Sequence, residues 1–228
     1  MRALVIEHEP DIPGALVNDW LLARGAELDV YRIATEVRDA PDPREYDLIV
    51  TLGSECAAFD DTVAWVEPER RLLAAAADAD VPVLGICFGG QLLARVLGGE
   101  ARRAERREIA WLTVDSRDRS LIDDGPWLQW HSDTFTVPPG AELLAAGAVG
   151  PAAFVLGRCL GLQFHPEVTP ELVEAWVAGS GAELEREGVD PERLIAESRE
   201  HDAGNRARAL ALFDRFVTRV ARIDGTAA

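Results

Sequence analysis

Three short apolar runs in the first 90 residues constrain the fold of this chain more than any other feature. They occupy residues 2–6, 47–52 and 81–86, and none of them alternates apolar with polar side chains. Strands of this kind are buried on both faces, which is typical of a parallel sheet covered by helices. Helical spacing of apolar residues at 15–24 and 62–78 separates the runs. The sequence therefore predicts an α/β fold with a mostly parallel central sheet flanked by helices.

The pattern changes after about residue 100. Shorter, irregular strands are predicted at 109–114, 135–137, 143–147, 153–156 and 159–164. Turn-forming residues separate these strands. We interpret the strands as a small antiparallel addition to the main sheet. Helices are predicted at 170–186, 191–199 and 203–222. The sequence contains no internal repeat or linker, so we expect one domain over 1–228, with 171–222 as additional C-terminal helices and a frayed tail after Asp224.

Charge and composition restrict the classes of partner. The 228 residues carry 23 basic and 40 acidic side chains, a formal net charge of −17. Nucleic acid and anionic membrane surfaces both attract basic segments, so neither is expected as a main partner. Charged residues return too soon after the first methionine for a signal peptide, and the longest uncharged stretch, 143–157, is shorter than the ~20 apolar residues of a membrane-spanning helix. We therefore expect a cytoplasmic protein.

The segment over residues 83–91, Val-Leu-Gly-Ile-Cys-Phe-Gly-Gly-Gln, carries the strongest chemical signal. A buried strand runs into Gly85, and a helix follows Gly89, so the backbone can turn steeply on either side of Cys87. Such a nucleophile elbow exposes its side chain at a helix N-terminus, where unpaired N–H groups and the helix dipole favour a thiolate. Cys87 is therefore the candidate nucleophile. For Cys56 and Cys159 the ordinary fate of a small buried cysteine is the favoured interpretation.

A nucleophilic thiol needs a base, and the base needs a residue that orients it. One of the four histidines, His165, directly follows an apolar run at 160–164 and should lie at a strand end, beside Cys87 if the two strands are neighbours. Pro166 ends that strand, and Glu167 is close enough to reach back to one imidazole nitrogen. The three side chains repeat the nucleophile–base–orienter logic of serine hydrolases. Taken alone, His-Pro-Glu is equally compatible with a simple turn at a strand end.

These segments resemble the class I glutamine amidotransferases. The run Gly-Ile-Cys-Phe-Gly-Gly-Gln at 85–91 is similar to the nucleophile motif of that family, and Gln-Phe-His-Pro-Glu-Val at 163–168 is similar to its histidine–glutamate motif. His-Ser-Asp at 131–133 resembles the His-Gly-Asp stretch of the GMP synthase amidotransferase domain, and 107–111 resembles the segment before it. The resemblance is greatest to stand-alone relatives of that domain, and it implies the flavodoxin-like fold of the family.

The resemblance also implies a reaction. Cys87 would attack the side-chain amide of glutamine, with His165 as the base and Glu167 as its orienter. A γ-glutamyl thioester would form and release ammonia, and water would then release glutamate. No metal ion or cofactor takes part in this scheme, and the three cysteines and four histidines show no zinc-type spacing.

The resemblance further implies an oxyanion hole and a glutamine-binding pocket. The backbone N–H of Phe88 would be one oxyanion donor. The second would come from residues 53–55, where this chain has Gly53, Ser54 and a glutamate in place of the family's Gly-Gly-Pro. Serine tolerates a positive φ poorly, so this departure puts the second donor in question. The substrate-binding residues implied by the resemblance are Gln91, Trp130 and His131.

Three functions remain open from the sequence. The chain is an amidotransferase subunit that supplies ammonia to a separate synthetase, a free-standing hydrolase of glutamine or a γ-glutamyl amine or peptide, or a non-catalytic binding module on the same fold. The sequence contains no ATP-pyrophosphatase-type glycine-rich loop, so the ammonia acceptor is expected on another polypeptide. Apolar residues in the C-terminal stretch are expected to pack onto the domain's own sheet. The oligomeric state is left open.

Overall fold

An eight-stranded sheet forms the centre of the structure, a computed structural model that describes residues 1–223. The tail after Asp224, expected to fray, lies outside the described residues. The strands are β1 (Arg2–Glu7), β2 (Glu27–Arg32), β3 (Leu48–Thr51), β4 (Val83–Ile86), β5 (Ala101–Leu112), β6 (Asp115–Ser116), β7 (Trp127–Phe135), β8 (Glu142–Ala146), β9 (Pro151–Leu156) and β10 (Cys159–Leu162). The α-helices are α1 (Leu16–Ala23), α2 (Val66–Asp78), α3 (Phe88–Val96), α4 (Pro170–Gly179), α5 (Gly181–Glu187) and α6 (Pro191–Arg215).

The order of the strands confirms the predicted α/β class. The sheet runs β2-β1-β3-β4-β10-β9-β8-β6. The strands from β2 to β10 pair in parallel, whereas β9, β8 and β6 continue the sheet with antiparallel pairing. The antiparallel addition predicted after residue 100 is therefore present, and it extends the edge next to β10.

The apolar runs are buried on both faces of the sheet, as predicted. Successive side chains of a strand point to opposite faces. In β1, Val5 packs in a cluster that also contains Trp20 of α1 and Phe213 of α6. Its neighbour Ile6 packs in a second cluster with Leu73 of α2 on the other face. Full burial of a Val or Ile side chain contributes roughly 1.5–3 kcal/mol to stability, which explains why these short strands contain no polar alternation.

A two-stranded ribbon, β5 with β7, lies outside the main sheet. The strand predicted at 109–114 begins much earlier, at Ala101, and the one predicted at 135–137 spans Trp127–Phe135. The first seven residues of β5 include four arginines, and most of these seven side chains are exposed, so the segment lacks the apolar pattern from which a strand is predicted. Backbone pairing with β7 holds it in place instead.

Proline and a capping side chain start two of the C-terminal helices. Thr169 accepts a hydrogen bond from Leu172 N–H at the start of α4, and Asp190 accepts from the N–H groups of Glu192 and Arg193 at the start of α6. A proline follows each cap, where its fixed φ suits the first helical position. Among residues 1–223, no helix combines the length and apolar character needed to cross a membrane.

The C-terminal helices differ from the prediction in their boundaries. The helix predicted over 170–186 is divided near Ser180 into α4 and α5, and glycines on either side of that residue weaken the helix there. The break predicted between 191–199 and 203–222 is wrong, because α6 is continuous through it. The charged residues there are compatible with a helix, and the one glycine costs only ~1 kcal/mol. A π-helical turn, Phe216–Ala221, follows α6.

The apolar faces of these helices pack within the chain, but only some of them on the main sheet. Phe213 and Phe216 join the cluster on one face of the sheet. Trp176, Leu184 and Leu194 belong to a separate cluster that includes residues of the ribbon. Helices α4 and α5 therefore lie against β5 and β7, next to the carboxyl end of β10.

Candidate active site

Cys87 occupies a sharp turn between β4 and α3. It has a φ of 52°, in the left-handed region that side chains rarely adopt, and helix α3 begins at the next residue. The turn is closely packed: a methyl group on Gly85 would lie 2.5 Å from the carbonyl oxygen of Gly89, and one on Gly89 would overlap the Thr51 carbonyl. The glycines are therefore required by close backbone approach, which is the geometry predicted for a nucleophile elbow.

Backbone hydrogen bonds hold both sides of the turn. Cys87 N–H donates to Leu162 O at 2.8 Å, and Gly89 N–H donates to Leu52 O at 2.9 Å. Phe88 lies between them in the first turn of α3, where N–H groups have no partner within the helix. Its N–H is consequently in the position expected of an oxyanion donor.

His165 lies just beyond the end of β10, which pairs in parallel with β4. Its N–H donates to Leu128 O of β7 at 2.9 Å, and its Nδ1 is 2.7 Å from Glu167 Oε1. The ring of Trp176 packs edge-on against the imidazole, with 5.0 Å between ring centroids. The strand end thus presents a buried imidazole with one nitrogen bound to a carboxylate.

Gly53 shows how closely the candidate residues approach one another. A methyl group added to Gly53 would lie 3.1 Å from His165 Cε1 and 3.8 Å from Cys87 Cβ. Gly53, two residues beyond the carboxyl end of β3, therefore lies close to both His165 and Cys87. The structure brings together the nucleophile and base candidates, which are 78 positions apart in the sequence.

The electrostatic surroundings favour a protonated His165. Burial by itself lowers the pKa of this imidazole, but the Glu167 carboxylate and the adjacent Cys87 thiol outweigh it and hold the pKa well above its ordinary value. A proton on His165 stabilises a thiolate beside it, since opposite charges at short distance favour both charged forms.

The loop that carries Glu167 is braced by helices on two sides. The carbonyl of Glu167 accepts a hydrogen bond from Leu16 N–H of α1 at 3.0 Å. On the other side, the buried amide of Asn205 in α6 donates to Pro166 O at 3.3 Å and Val168 O at 3.1 Å. Sequence reasoning missed Asn205, because one amide in a long polar helix carries no signal of its own.

A cavity of about 520 Å³ opens over Cys87 and His165. Its walls come from the loop after β3, from the ribbon, and from α4 and α5. Gln91, Trp130 and His131, the predicted substrate-binding residues, all line it. Trp130 O lies 3.9 Å from Cys87 Sγ, so the ribbon backbone approaches the candidate nucleophile directly.

The side chains of Gln91 and His131 are largely occupied by contacts within the protein. Gln91 Nε2 donates to Asp133 O at 3.2 Å and to Gln163 Oε1 at 3.3 Å. His131 Nδ1 is 3.0 Å from Asp133 O, and its Nε2 is 3.2 Å from Gln129 Oε1. Both residues therefore shape the cavity wall, and both contact the backbone carbonyl of Asp133.

Residues 53–55, which we call the oxyanion turn, have ordinary backbone geometry. Neither Gly53 nor Ser54 has a positive φ, so serine fits this position without strain. The Ser54 hydroxyl donates to Glu9 Oε1 at 2.7 Å and accepts from Cys56 N–H at 3.0 Å. The side chain that departs from the family pattern therefore ties the turn to the loop after β1.

The two other cysteines differ from each other. Cys159 is buried in β10, and burial raises the pKa of its thiol to about 11, as suits the structural role predicted for it. The same interpretation is wrong for Cys56, which is partly exposed and lines the cavity. Its sequence neighbours are too irregular to indicate which way the side chain points.

Sequence comparison with known proteins assigns the chain to a family. A sequence model described as glutamine amidotransferase class-I matches residues 15–176. The chain is 41% identical over 98 residues to a GMP synthase (glutamine-hydrolyzing) of Thermomicrobium roseum, covering 40% of this chain and 19% of that protein. It is 32% identical over 162 residues to the Thermus thermophilus GMP synthase, covering 65% and 30% respectively. The chain thus spans less than a third of the length of these relatives.

Solved structures share the fold over nearly the whole chain. A glutamine amidotransferase from Thermotoga maritima superposes with a TM-score of 0.86 at 28% identity, covering 95% of this chain and 98% of the other. A glutamine amido transferase from Methylobacillus flagellatus gives a TM-score of 0.87 at 23% identity, covering 95% and 94%. At the latter identity the likeness shows the fold alone.

Proposed function

Since the chain belongs to the class I glutamine amidotransferase family, we propose that it hydrolyses the side-chain amide of glutamine through a thioester on Cys87. The observation that carries the proposal is the placement of Cys87 at the start of α3, beside an imidazole that is bound to Glu167 at 2.7 Å. The nucleophile then comes from the turn between β4 and α3, and the base and its orienter come from the loop after β10.

The reaction begins with a thiolate on Cys87 and a proton on His165. The raised pKa of the imidazole supports this starting state. The thiolate adds to the amide carbon, and His165 gives its proton to the nitrogen, which leaves as ammonia while the γ-glutamyl thioester forms. The imidazole then takes a proton from water, and the hydroxide attacks the thioester and releases glutamate.

The negative oxygen formed in both steps needs fixed donors. The N–H of Phe88 is one, and the N–H of Ser54 in the oxyanion turn is the other. The ordinary backbone geometry of that turn supports this role, because serine can occupy it without strain. Removing one such donor typically costs on the order of 100- to 1000-fold in rate.

The ammonia is proposed to serve an acceptor reaction on a partner synthetase. The support is the similarity of this chain to part of GMP synthases, which are described as glutamine-hydrolyzing. Gln91, Trp130 and His131 are proposed to shape the pocket that holds the amino-acid end of glutamine, since all three line the cavity. We also propose that residues 1–228 form one domain and that the protein is cytoplasmic.

Glutaminase assays with two cysteine variants test the nucleophile. Purified protein should release ammonia and glutamate slowly from glutamine, and faster with the partner. Cys87→Ser should reduce turnover by at least about 1000-fold, since the loss of the nucleophile removes the covalent route, and should abolish labelling by diazo-oxonorleucine. Cys56→Ser is the matched control, because Cys56 is a second cysteine in the same cavity. This variant should keep both the glutaminase turnover and the labelling by diazo-oxonorleucine. Unchanged turnover in Cys87→Ser would refute the mechanism.

The size of the cavity supports a second candidate, a hydrolase of γ-glutamyl amines or peptides. The space over Cys87 extends to Glu183 and Arg186 of α5, and its volume of about 520 Å³ lies in the range that holds ligands larger than one amino acid. Partner-free turnover of a γ-glutamyl amine or peptide, with little turnover of glutamine, would select this candidate.

A further inference from the structure

A buried ionisable pair lies directly behind the oxyanion turn. His8 follows β1, and Glu69 lies in the first turn of α2, so the two come from different elements. His8 Nε2 is 2.8 Å from Glu69 Oε2, and both side chains are fully buried. The other carboxylate oxygen of Glu69 accepts from the Thr51 hydroxyl at 2.5 Å. The proposed reaction uses none of these three side chains.

This arrangement favours the protonated form of His8. Burial alone lowers the pKa of the imidazole, but the Glu69 carboxylate outweighs burial and raises the pKa above its ordinary value. A protonated imidazole donates from both nitrogens. One donates to Glu69, and the second, Nδ1, donates to Gly53 O at 2.8 Å. A charge-assisted bond of this kind fixes the direction of the carbonyl more firmly than a neutral one.

The direction of the Gly53 carbonyl determines the direction of the next N–H. In a planar trans peptide the C=O and N–H groups point in opposite directions. The carbonyl points at His8, so the N–H of Ser54 points away from His8. Gly53 is close to both His8 and the candidate nucleophile: its carbonyl is 2.8 Å from His8 Nδ1, and a methyl group on it would lie 3.8 Å from Cys87 Cβ. The Ser54 N–H therefore faces the cavity that Gly53 and Ser54 line.

The same imidazole also contacts the other backbone donor segment. Its ring packs edge-on against the ring of Phe88, with 4.8 Å between centroids, and Trp65 covers it from another side at 4.7 Å. His8 thus touches the residues on both sides of the proposed oxyanion hole. A buried ion pair by itself contributes little net stability, because desolvation offsets the attraction, so stability does not account for the arrangement.

We propose that His8 is a positioning residue: held by Glu69, it fixes the Gly53 carbonyl and thereby aims the Ser54 N–H at the oxyanion that forms when Cys87 is acylated. The inference rests on the proposed function for the roles of Cys87 and the Ser54 N–H and for the identity of the natural acyl donor. Acylation of Cys87 by any reactive carbonyl compound passes through the same kind of oxyanion, which separates the two proposals experimentally.

Replacing His8 by asparagine or by glutamine tests its two hydrogen bonds, to Gly53 O and to Glu69, one at a time. In His8→Asn the side-chain nitrogen takes the place of Nδ1 and still reaches Gly53, whereas in His8→Gln it takes the place of Nε2 and reaches only position 69. Both are made together with Glu69→Gln, so that neither leaves an unpaired buried charge. Glu69→Gln alone is the reference variant. In it the new side-chain amide at position 69 donates to Nε2 of a neutral His8, so the proton stays on Nδ1 and the hydrogen bond to Gly53 O is kept.

Two reagents then report on Cys87 in each variant. With p-nitrophenyl acetate, the thiolate adds to the carbonyl, an oxyanion forms, and p-nitrophenolate leaves as the S-acetyl enzyme is produced. With iodoacetamide, the thiolate displaces iodide at the CH₂ carbon and no oxyanion forms. Both rates are measured at Cys87 by peptide mass spectrometry, with Cys87→Ser as the blank. Thermal unfolding midpoints are recorded for every variant.

We expect H8Q/E69Q to acetylate about 10- to 100-fold more slowly than E69Q, less than the 100- to 1000-fold loss of a whole donor, with its alkylation rate unchanged. H8N/E69Q should acetylate within about fivefold of E69Q, since its donor to Gly53 remains. Glutaminase kcat should follow the acetylation rates with KM nearly constant. If H8Q/E69Q does not fold, H8Q, which leaves Glu69 an amide partner, replaces it.

Equal acetylation rates in the Asn and Gln variants would overturn the role of His8, as would a parallel loss of acetylation and alkylation. Failure of the glutaminase proposal looks different: wild-type protein would leave glutamine intact, yet acetylation would still separate the two variants. The alkylation rate also shows whether a slow variant has kept the folded site around Cys87.

Discussion

At the scale of single residues, the candidate chemistry depends on where one proton resides. His165 must carry it when ammonia leaves, and Glu167 is the main reason that the imidazole holds it, because burial alone lowers the pKa. The carboxylate is buried, and its second oxygen, Oε2, has no hydrogen-bond partner within residues 1–223. Within residues 1–223, His165 is therefore the side chain that hydrogen-bonds this carboxylate.

Glu167→Gln should shift the alkaline limb of the kcat–pH profile to lower pH. The raised pKa keeps the imidazole protonated up to high pH, so turnover falls as pH rises through that pKa; without the carboxylate the pKa drops and the fall begins earlier. The magnitude of kcat should fall by on the order of 100- to 10,000-fold, as for an orienting carboxylate changed to an amide in serine proteases. Steady-state ammonia release across pH measures both effects.

Glu174→Gln provides the matched control for that profile. It removes a partly exposed carboxylate of α4 that pairs with Arg199 at 2.7 Å, so the net charge changes equally. Its alkaline limb should stay where the wild-type limb lies. A limb that stays unchanged in Glu167→Gln, or moves equally in both variants, would contradict the electrostatic role of Glu167.

At the scale of elements, the position of Cys87 depends on how closely α3 approaches β3. Gly89 N–H donates to Leu52 O at 2.9 Å, and the glycine leaves no room for a methyl group next to the Thr51 carbonyl. Because the obstructing atoms are backbone, a side chain at this position must displace a helix or a strand rather than a rotamer.

Gly89→Ala should therefore destabilise the protein by about 1–3 kcal/mol and lower kcat, because α3 begins at Phe88 and directly follows Cys87. Urea unfolding followed by circular dichroism measures the first effect. Gly179→Ala is the matched control at the end of α4, where an added methyl group meets no atom of residues 1–223 within 4 Å. That variant should be equally or slightly more stable than wild type. Equal stability of both variants would show that α3 is not closely packed on β3.

Elements specified by a local pattern could be predicted from the sequence. The runs at 2–6 and 81–86 became β1 and β4 because burial on both faces requires apolar side chains at every position. The elbow was equally predictable, since Gly85 and Gly89 stand beside Cys87 in the chain. The early start of β5 was not, because backbone pairing with β7 holds a strand whose side chains are mostly charged.

Parts of the site that join distant segments could not be predicted in the same way. His8 and Glu69 are 61 positions apart, and nothing in the sequence around either residue indicates that their side chains meet. The bracing of the Glu167 loop by Asn205 has the same character, with 39 positions between Asn205 and Pro166. Such contacts are decided by how α2 and α6 pack on the sheet.

At the scale of the whole molecule, the excess of acidic side chains opposes folding. A net charge of −17 concentrates like charges when the chain becomes compact. The surface also carries ion pairs, such as Arg193 with Glu197 at 2.7 Å on α6, but exposed pairs contribute little to stability. Repulsion among unpaired carboxylates should therefore outweigh the exposed pairs in the response of this protein to salt.

Sodium chloride should consequently stabilise the protein near pH 7. Raising the salt from about 0.02 to 0.5 M shortens the Debye length to a few ångströms, which screens the repulsion and should raise the unfolding midpoint by a few degrees. The same titration at the sequence isoelectric point, about pH 4.6, is the control, because the net charge there is close to zero and the shift should nearly vanish. Differential scanning calorimetry measures both series. A midpoint that falls with salt at pH 7 would show that the ion pairs dominate the repulsion.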